Sequence, residues 1–229
     1  MIRDFTLEQK ILHYLIIHSL SCDNIGLLHG RMGITLAFYI IGQKQNNDVY
    51  IDWGDNLLDS VLENISRSHS YDFTSGLCGI GWGIEYLLHK HLVLGSSSGI
   101  CEELDESIMK IHPNRLDCSL EFGLKGFLHY VLAHISNCVA FENKLPFDSI
   151  FYDELQHSIQ NVYSFNMDFE LQRLFEKYNN FYCYDKIDYN FNVLDILGNK
   201  CPLINDCNFK NKPLSLVNGL SGYLISRFV

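Results

Sequence analysis

The sequence predicts an all-α fold of about five helical-hairpin repeats, arranged as an α/α toroid or solenoid. Three observations support this prediction. A G-x-x-G motif occurs four times at nearly regular spacing, each copy is followed by a run of apolar residues, and amphipathic helical segments lie between the copies. No convincing alternation of apolar and polar residues, which would indicate strands, competes with this pattern.

The glycine motifs define the repeat. They are Gly30/Gly33, Gly76/Gly79, Gly123/Gly126 and Gly219/Gly222. Their first glycines lie 46, 47 and 96 residues apart, and the last interval is close to two periods, so one copy has lost its glycines. Chance alone would give about one such motif in a chain of this length and glycine content. Four copies in register therefore indicate an internal repeat.

The apolar runs after the motifs predict inner helices that are buried on every side, and the glycines allow unusual dihedrals and close backbone approach where these helices begin. The segments 7–18, 57–65, 104–111 and 151–162 carry an apolar stripe on one helical face, which predicts outer helices. Asp55 and Asp148 are placed as N-caps of two of them. A fifth stripe, at 171–178, predicts the degenerate inner helix of repeat four.

Composition indicates a single globular domain over residues 1–229. The formal net charge of −10 argues against a nucleic acid or an anionic membrane as the main partner, because both favour Lys and Arg. The first residues lack the layout of a signal peptide, and no apolar run approaches the roughly 18 residues of a membrane span. We therefore expect a cytoplasmic protein that does not bind membranes. Period alone does not say whether the ring is closed or incomplete at Val229.

The eight cysteines are scattered and form no C-x-x-C pair. Most are expected to be small buried hydrophobic residues. Cys183, Cys201 and Cys207 form a loose cluster, for which an irregular loop is the favoured interpretation and a metal site the less favoured one, since structural zinc sites usually show tighter spacing.

The repeated G-x-x-G motifs, together with residues 71–79 (Tyr-Asp-Phe-Thr-Ser-Gly-Leu-Cys-Gly), resemble those of the lanthionine synthetase C-like proteins. The resemblance spans most of the chain. It implies an α/α toroid with a central zinc ion that activates a peptide cysteine thiolate. That thiolate adds to a dehydrated serine or threonine and closes a thioether ring.

The residues that would hold this zinc ion depart from the family pattern. In the family, one ligand is a cysteine two residues before a first glycine, and an adjacent Cys-His pair precedes the glycine of the last motif. The pairs at these places are Leu28-His29, Thr74-Ser75, Glu121-Phe122 and Val217-Asn218. None contains a cysteine, so we expect no metal and no cofactor at the family positions, although zinc is typical of the family.

Two residues match the reactive groups of the family. Asp72 matches the aspartate of its Tyr-Asp motif and could bind substrate or assist proton transfer; alternatively, it caps the helix or ties down the glycine loop. His29 precedes Gly30 as a catalytic histidine precedes a glycine in the family, but it lies in the first repeat. The alternative is a histidine packed in its helix-entry loop.

Five further residues are candidates for lining a cavity or binding substrate: Tyr71, Trp82, Glu85, Glu121 and Asn218. Core packing is the alternative for Trp82. Glu85 lies in an apolar helix and must face a cavity or find a partner. Glu85 and Glu121 could form an acid/base pair. His129 and His134 are spaced too unfavourably to form a metal pair.

Three functions follow, and the first is preferred. A divergent family member would take part in peptide modification by binding a peptide, with little or no cyclase chemistry. An active modifying enzyme would need a metal or nucleophile assembled from His29, Asp72, Cys201 and Cys207. A scaffold would use the open end of an incomplete ring to bind a partner protein or a second copy. Whether the protein is an enzyme stays open at this point.

Overall fold

The structure, a computed structural model, describes residues 5–66, 69–162, 168–198 and 202–229. These residues form ten α-helices and no strand, so the all-α prediction is confirmed. The helices are α1 Leu7–His18, α2 Arg31–Gln45, α3 Asp48–Asn64, α4 Leu77–His89, α5 Ser97–Ile108, α6 Leu124–Asn137, α7 Ser149–Val162, α8 Phe169–Tyr184, α9 Val193–Leu197 and α10 Leu220–Phe228. Cys201 lies outside the described residues.

The helices belong to two compact units. The first contains α1, α2, α3, α9 and α10, and in it α2 packs against α3 and α10. The second contains α4 to α8, and in it α4 packs against α5 and α6 while α8 packs against α6 and α7. Among the described residues, none of the helices combines the length and the apolarity that a membrane crossing requires.

The helices that follow the first three glycine motifs are buried on all sides. Every residue of α2 from 31 to 42, of α4 from 77 to 88 and of α6 from 124 to 135 is buried. Apolar residues around the whole circumference allow this, because each face meets another part of the chain. The prediction of inner helices is therefore confirmed for α2, α4 and α6, whereas α10 is buried on one side and exposes Ser226 and Arg227.

The outer helices are amphipathic, as their stripes predict, but one predicted cap is wrong. Asp55 lies inside α3, whose N-cap is Asn47, which accepts a hydrogen bond from the Val49 N–H at 3.1 Å. The Asp55 carboxylate instead accepts the Tyr39 hydroxyl. Asp148 does accept the Phe151 N–H, at 2.8 Å, as an N-cap residue does.

The fifth stripe forms α8, which begins after Asp168; the carboxylate of this N-cap accepts the Leu171 N–H at 2.9 Å. Its buried residues face α6 and α7. Its other side meets solvent, where the Phe169 side chain is 76% exposed. In burial, α8 therefore resembles an outer helix more than α2, α4 or α6.

Four loops of seven residues lead into the glycine-started helices: L1 (residues 24–30), L2 (70–76), L3 (117–123) and L4 (213–219). Each ends at the first glycine of a motif, which is the N-cap of α2, α4, α6 or α10. In every loop, the N–H of the residue after the glycine donates to the carbonyl of the first loop residue. The four bonds are Arg31 to Asn24 (2.8 Å), Leu77 to Ser70 (2.8 Å), Leu124 to Asp117 (2.7 Å) and Leu220 to Pro213 (2.8 Å).

Close approach of the backbone explains the first glycine of each motif. The φ angles of these glycines lie between −130° and −102°, in the extended region that ordinary residues adopt, so the expected unusual dihedrals do not occur. Space is the constraint. A Cβ on Gly76 would lie well under 3.0 Å from the Ser70 carbonyl oxygen, and a Cβ on Gly123 would lie well under 3.0 Å from the Asp117 carbonyl oxygen. The closing hydrogen bond of the loop therefore requires glycine.

The second glycine of each motif lies inside its helix, at the third residue, and not ahead of the helix as expected. Gly79 in α4 and Gly222 in α10 are buried, and among the described glycines a positive φ occurs only at Gly198. The prediction of unusual dihedrals is therefore wrong for Gly79 and Gly222 as well. At Gly222 space is again the constraint, because an added Cβ would collide with the Leu216 carbonyl oxygen of L4.

The loops dock in pairs within each unit. In the first unit the Val217 N–H of L4 donates to the Leu28 carbonyl of L1 at 3.0 Å, and a Cβ on Gly33 would lie 2.8 Å from the Cβ of Leu216. In the second unit, the Phe73 N–H of L2 donates to the carbonyl of Glu121 in L3 at 2.9 Å.

In each pair, the second glycine of one motif also makes room for the neighbouring loop. For the L2/L3 pair this glycine is Gly126, where an added Cβ would collide with the side chain of Phe73. The same arrangement holds for Gly33 and Leu216 in the L1/L4 pair.

The loop geometry predicts a large effect of a single methyl group. Gly123→Ala places a Cβ against the Asp117 carbonyl, and either the closing hydrogen bond or the docking of L3 must give way. We expect the free energy of unfolding to fall by roughly 2–4 kcal/mol, measured by urea denaturation.

The matched control is Gly99→Ala in α5, where the added Cβ meets only ordinary contacts at 3.4 Å or more. Helix propensity then favours alanine, and this variant should gain about 0.5–1 kcal/mol. Two variants of equal stability would contradict the role given to the first glycines.

Candidate functional site

The residue immediately before the first glycine is accessible in all four loops. His29, Phe122 and Asn218 are exposed and Ser75 is half-buried, whereas the glycine that follows each is buried. Because the same hydrogen bond closes every loop, these four side chains occupy equivalent positions. The loops therefore present one variable side chain each beside the start of a glycine-started helix.

The repeat glycines contribute to a site only through the shape of the backbone. Gly79 and Gly222 are buried within the first turns of α4 and α10, so neither is accessible to a ligand. Their physical role is in packing, and the side chains that a ligand can reach stand before the first glycines.

In the first unit, L1 and L4 line a depression of about 380 Å³. Its walls include His29, Asn218, Val217 and Cys22. The structure thus brings together two of the predicted site residues, His29 and Asn218. Asn218 has a φ of 55°, a left-handed conformation that asparagine tolerates better than most other residues. Sequence reasoning missed Cys22, since it stands outside the motif.

A zinc ion of the family type does not fit these loops. The cysteine position of the last motif holds Val217, which is 5% exposed and cannot ligate, and the histidine position holds the amide of Asn218. Over all four motifs, the family positions supply one imidazole, His29 in the L1/L4 pair, and one carboxylate, Glu121 in the L2/L3 pair. Cys22 would add a second ligand to the first pair. At the family positions, neither pair supplies the three protein ligands that a catalytic zinc site needs.

Asp72 is used by its own loop. One carboxylate oxygen accepts the N–H groups of Thr74 (2.9 Å) and Ser75 (2.7 Å), and the other accepts the Ser70 hydroxyl. These contacts agree with the alternative that Asp72 ties down the glycine loop. Tyr71 beside it is half-buried, and burial raises the pKa of its hydroxyl, with a smaller contribution from the negative charge of Asp117.

Trp82 and Glu85 are enclosed and do not line an open cavity, which corrects the expectation for both. Each is 0% exposed. The Trp82 indole N–H donates to the Tyr189 hydroxyl at 2.7 Å. Glu85 makes its contacts with residues of α5 and α6 and not with Glu121, which lies half-buried in L3. The acid/base pair considered for these two carboxylates is therefore not formed.

Glu85 finds its partner in His134 of α6. Its Oε1 lies 2.7 Å from the His134 Nδ1, and the His134 Nε2 lies 2.8 Å from the Oδ2 of Asp105 on α5. The Ser97 hydroxyl donates to Glu85 at 2.7 Å, and the Tyr130 hydroxyl donates to Asp105 at 2.6 Å. A buried imidazole between two carboxylates ties together three helices of the second unit.

The charges in this network shift the pKa values of its members. Burial alone would lower the pKa of His134, but its hydrogen bonds with Asp105, Cys138 and Glu85 outweigh that effect and raise the pKa far above the ordinary value. Burial also raises the pKa of Asp105, and the neighbouring imidazolium partly opposes this. His134 is therefore held protonated in the folded protein.

Within the described part of the chain, Glu85, Cys101 and His134 place three potential metal ligands within 4.8 Å of one another. The Cys101 thiol donates to Glu85 at 3.4 Å, and both His134 nitrogens face carboxylates. An internal ion-pair network accounts for these contacts. The sequence showed that Glu85 needed a partner. His134, an ionisable residue within another apolar run, was the signal that could have identified this partner.

Residues 21–160 match the model of the lanthionine synthetase C-like protein family. This stretch covers more than half of the chain and includes L1, L2 and L3. No curated protein shows significant similarity to the sequence.

The buried network predicts how stability depends on pH. Since the pKa of His134 is raised on folding, the folded state keeps a proton that the unfolded chain releases above about pH 6.5. The contribution of His134 is therefore full below that pH and decreases as pH rises, by at most about 1.4 kcal/mol per pH unit. Urea denaturation from about pH 6.5 to about pH 8.5 measures this slope.

His134→Gln should remove the His134 part of the slope and, by leaving two buried carboxylates without a cation, lower the free energy of unfolding by about 3 kcal/mol. His157→Gln, at an exposed position on α7, is the matched control and should change neither quantity appreciably. A His134→Gln variant with the pH slope of the wild type would contradict the assignment of the proton to His134.

Proposed function

Because the chain belongs to the lanthionine synthetase C-like family, we propose that it takes part in peptide modification by binding a peptide at its glycine loops, without zinc-dependent cyclisation. One observation carries the proposal. All four loops keep the same closing hydrogen bond and present the residue before the glycine to solvent, while the family positions in either loop pair supply at most one zinc ligand.

The exposed residues are suited to contacts with a peptide. Phe122 at L3 is 58% exposed, so a large aromatic side chain beside the loop is accessible to a ligand. His29 and Asn218 offer hydrogen-bonding groups at the edge of the L1/L4 depression. The formal net charge of −10 favours peptides that carry basic residues.

The alternative of an enzyme with a non-family site receives no support from the residues named for it. The carboxylate of Asp72 is occupied by the backbone of L2, His29 lies in L1, and Cys207 is exposed in the segment before L4. Cys201 lies outside the described residues. Binding of a partner protein or of a second copy stays a prediction.

Peptide binding at the loops is tested by selecting ligands for the wild-type protein from a displayed library of random peptides and measuring their dissociation constants by fluorescence anisotropy. Phe122→Ala should weaken binding of the selected peptides by about tenfold, because it removes an exposed aromatic contact. The melting temperature should change little.

Phe141→Ala is the matched control, since Phe141 is also an exposed phenylalanine of the second unit (52%) but follows the C-terminal end of α6, whereas L3 precedes the N-terminal end of that helix. It should bind the selected peptides like the wild type. The proposal fails if Phe122→Ala, and His29→Ala in parallel, leave the affinity of every selected peptide unchanged.

A further inference from the structure

After α8 the chain runs on without helix through residues 186–191, here called the strap. Its side chains alternate: Asp188 and Asn190 are exposed, whereas Tyr189 and Phe191 are 8% and 4% exposed. A period of two is that of an extended chain with one side docked on a surface. The strap therefore binds the second unit in the manner of an extended peptide.

The strap covers a surface of aromatic rings, here called the aromatic face. Trp82, Tyr86 and His89 stand at positions i, i+4 and i+7 of α4 and so share one side of that helix, and His129 of α6 lies beside them. The Phe191 ring stacks on His89, with centroids 3.9 Å apart and planes at 16°.

Tyr189 is held through its hydroxyl as well as its ring. The Trp82 indole N–H can only donate, and it does so to the Tyr189 oxygen at 2.7 Å. The Tyr189 hydroxyl can therefore donate its proton to the Nδ1 of His129, also at 2.7 Å. The Nε2 of the same imidazole lies 3.3 Å from the Glu170 carboxylate. One position on this face is thus fitted to an aromatic ring that carries a hydroxyl group.

The strap also contacts α8. The Lys186 N–H donates to the Asn180 carbonyl at 3.3 Å, and the Lys177 ammonium meets the Asp188 carbonyl. The same ammonium lies 3.4 Å from the Asp188 carboxylate, which is 95% exposed, and an ion pair with a solvent-exposed partner contributes little to stability. Tyr189 and Phe191 are the buried side chains of the strap, so a competing peptide has to supply an aromatic ring at each of these two positions.

We propose that the aromatic face is a recognition site for an extended peptide segment with the pattern Tyr-x-Phe, and that the strap occupies it when no partner is bound. This inference goes beyond the binding proposed for the loops, because the aromatic face is formed by residues of α4 and α6 and not by the residues before the loop glycines. Because the strap is tethered, it competes at a high effective concentration, so the intact protein binds such a partner weakly. Release of the strap exposes to the partner the three residues that Tyr189 and Phe191 contact, Trp82, His89 and His129.

The test removes the two anchors of the strap. The variant Tyr189→Ser/Phe191→Ser leaves the aromatic face intact but unoccupied, and the probe is a fluorescein-labelled peptide with the sequence of residues 186–191, Lys-Ile-Asp-Tyr-Asn-Phe. Fluorescence anisotropy should show binding at least about tenfold tighter than to the wild type. A probe with alanine at both aromatic positions should not bind.

Asn190→Ser is the matched control, since Asn190 lies in the same strap but is exposed. It should bind the probe as weakly as the wild type. A folded double variant that binds the probe no better than the wild type overturns the inference.

Tyr189→Phe keeps the inference testable if the double variant does not fold, because it removes only the hydroxyl that Trp82 and His129 contact. The weakened strap should let the probe bind roughly fivefold tighter than to the wild type. A folded Tyr189→Phe variant that binds the probe no better than the wild type overturns the inference.

The two proposals fail separately. Unchanged binding of library-selected peptides to Phe122→Ala and His29→Ala counts against the loops alone, and lack of probe binding to the strap variant counts against the aromatic face alone.

Discussion

The structure depends on a hydrogen bond that recurs four times, from the first N–H of a glycine-started helix to a carbonyl seven residues earlier. The bond brings that carbonyl so close to the intervening Cα that only glycine fits, as at Gly76 and Gly123. The bond fixes where each of these helices begins. It also turns the loop so that the side chain of the residue before the glycine is accessible to solvent. The glycines are therefore retained for reasons of space and not of dihedral angle.

Because the loops close through their own backbone, their shape does not require a metal ion. A zinc ligand can be replaced at Val217 or Asn218 while the bond from Leu220 to Pro213 persists. The fold can therefore be kept while the chemistry of the loops changes, because function depends on the side chains that a fold carries. The accessible side chains of the loops, which are then the groups offered to a ligand, are those of His29, Ser75, Phe122 and Asn218.

The sequence predicted most of the helices because glycine spacing and apolar periodicity are local signals. It misplaced the start of α3, since aspartate occurs inside helices as well as at caps and Asn47 was the residue that formed the cap. The spacing of the repeats does not show which residues far apart in the sequence contact each other. The position of Glu85 in an apolar helix indicated that it needs a partner, but the sequence did not identify His134 as that partner. The strap carries no helical periodicity, so Tyr189 was missed entirely.

Zinc content tests the central claim, that this member keeps the glycine-loop scaffold but does not hold zinc at the loops. The protein would be purified under reducing conditions without a metal-affinity tag, dialysed against buffer containing zinc and then against buffer without it, and analysed by inductively coupled plasma mass spectrometry beside His29→Ala. The account predicts far less than one zinc ion per chain in both proteins. Near-stoichiometric zinc in the wild type that is lost in His29→Ala would contradict it.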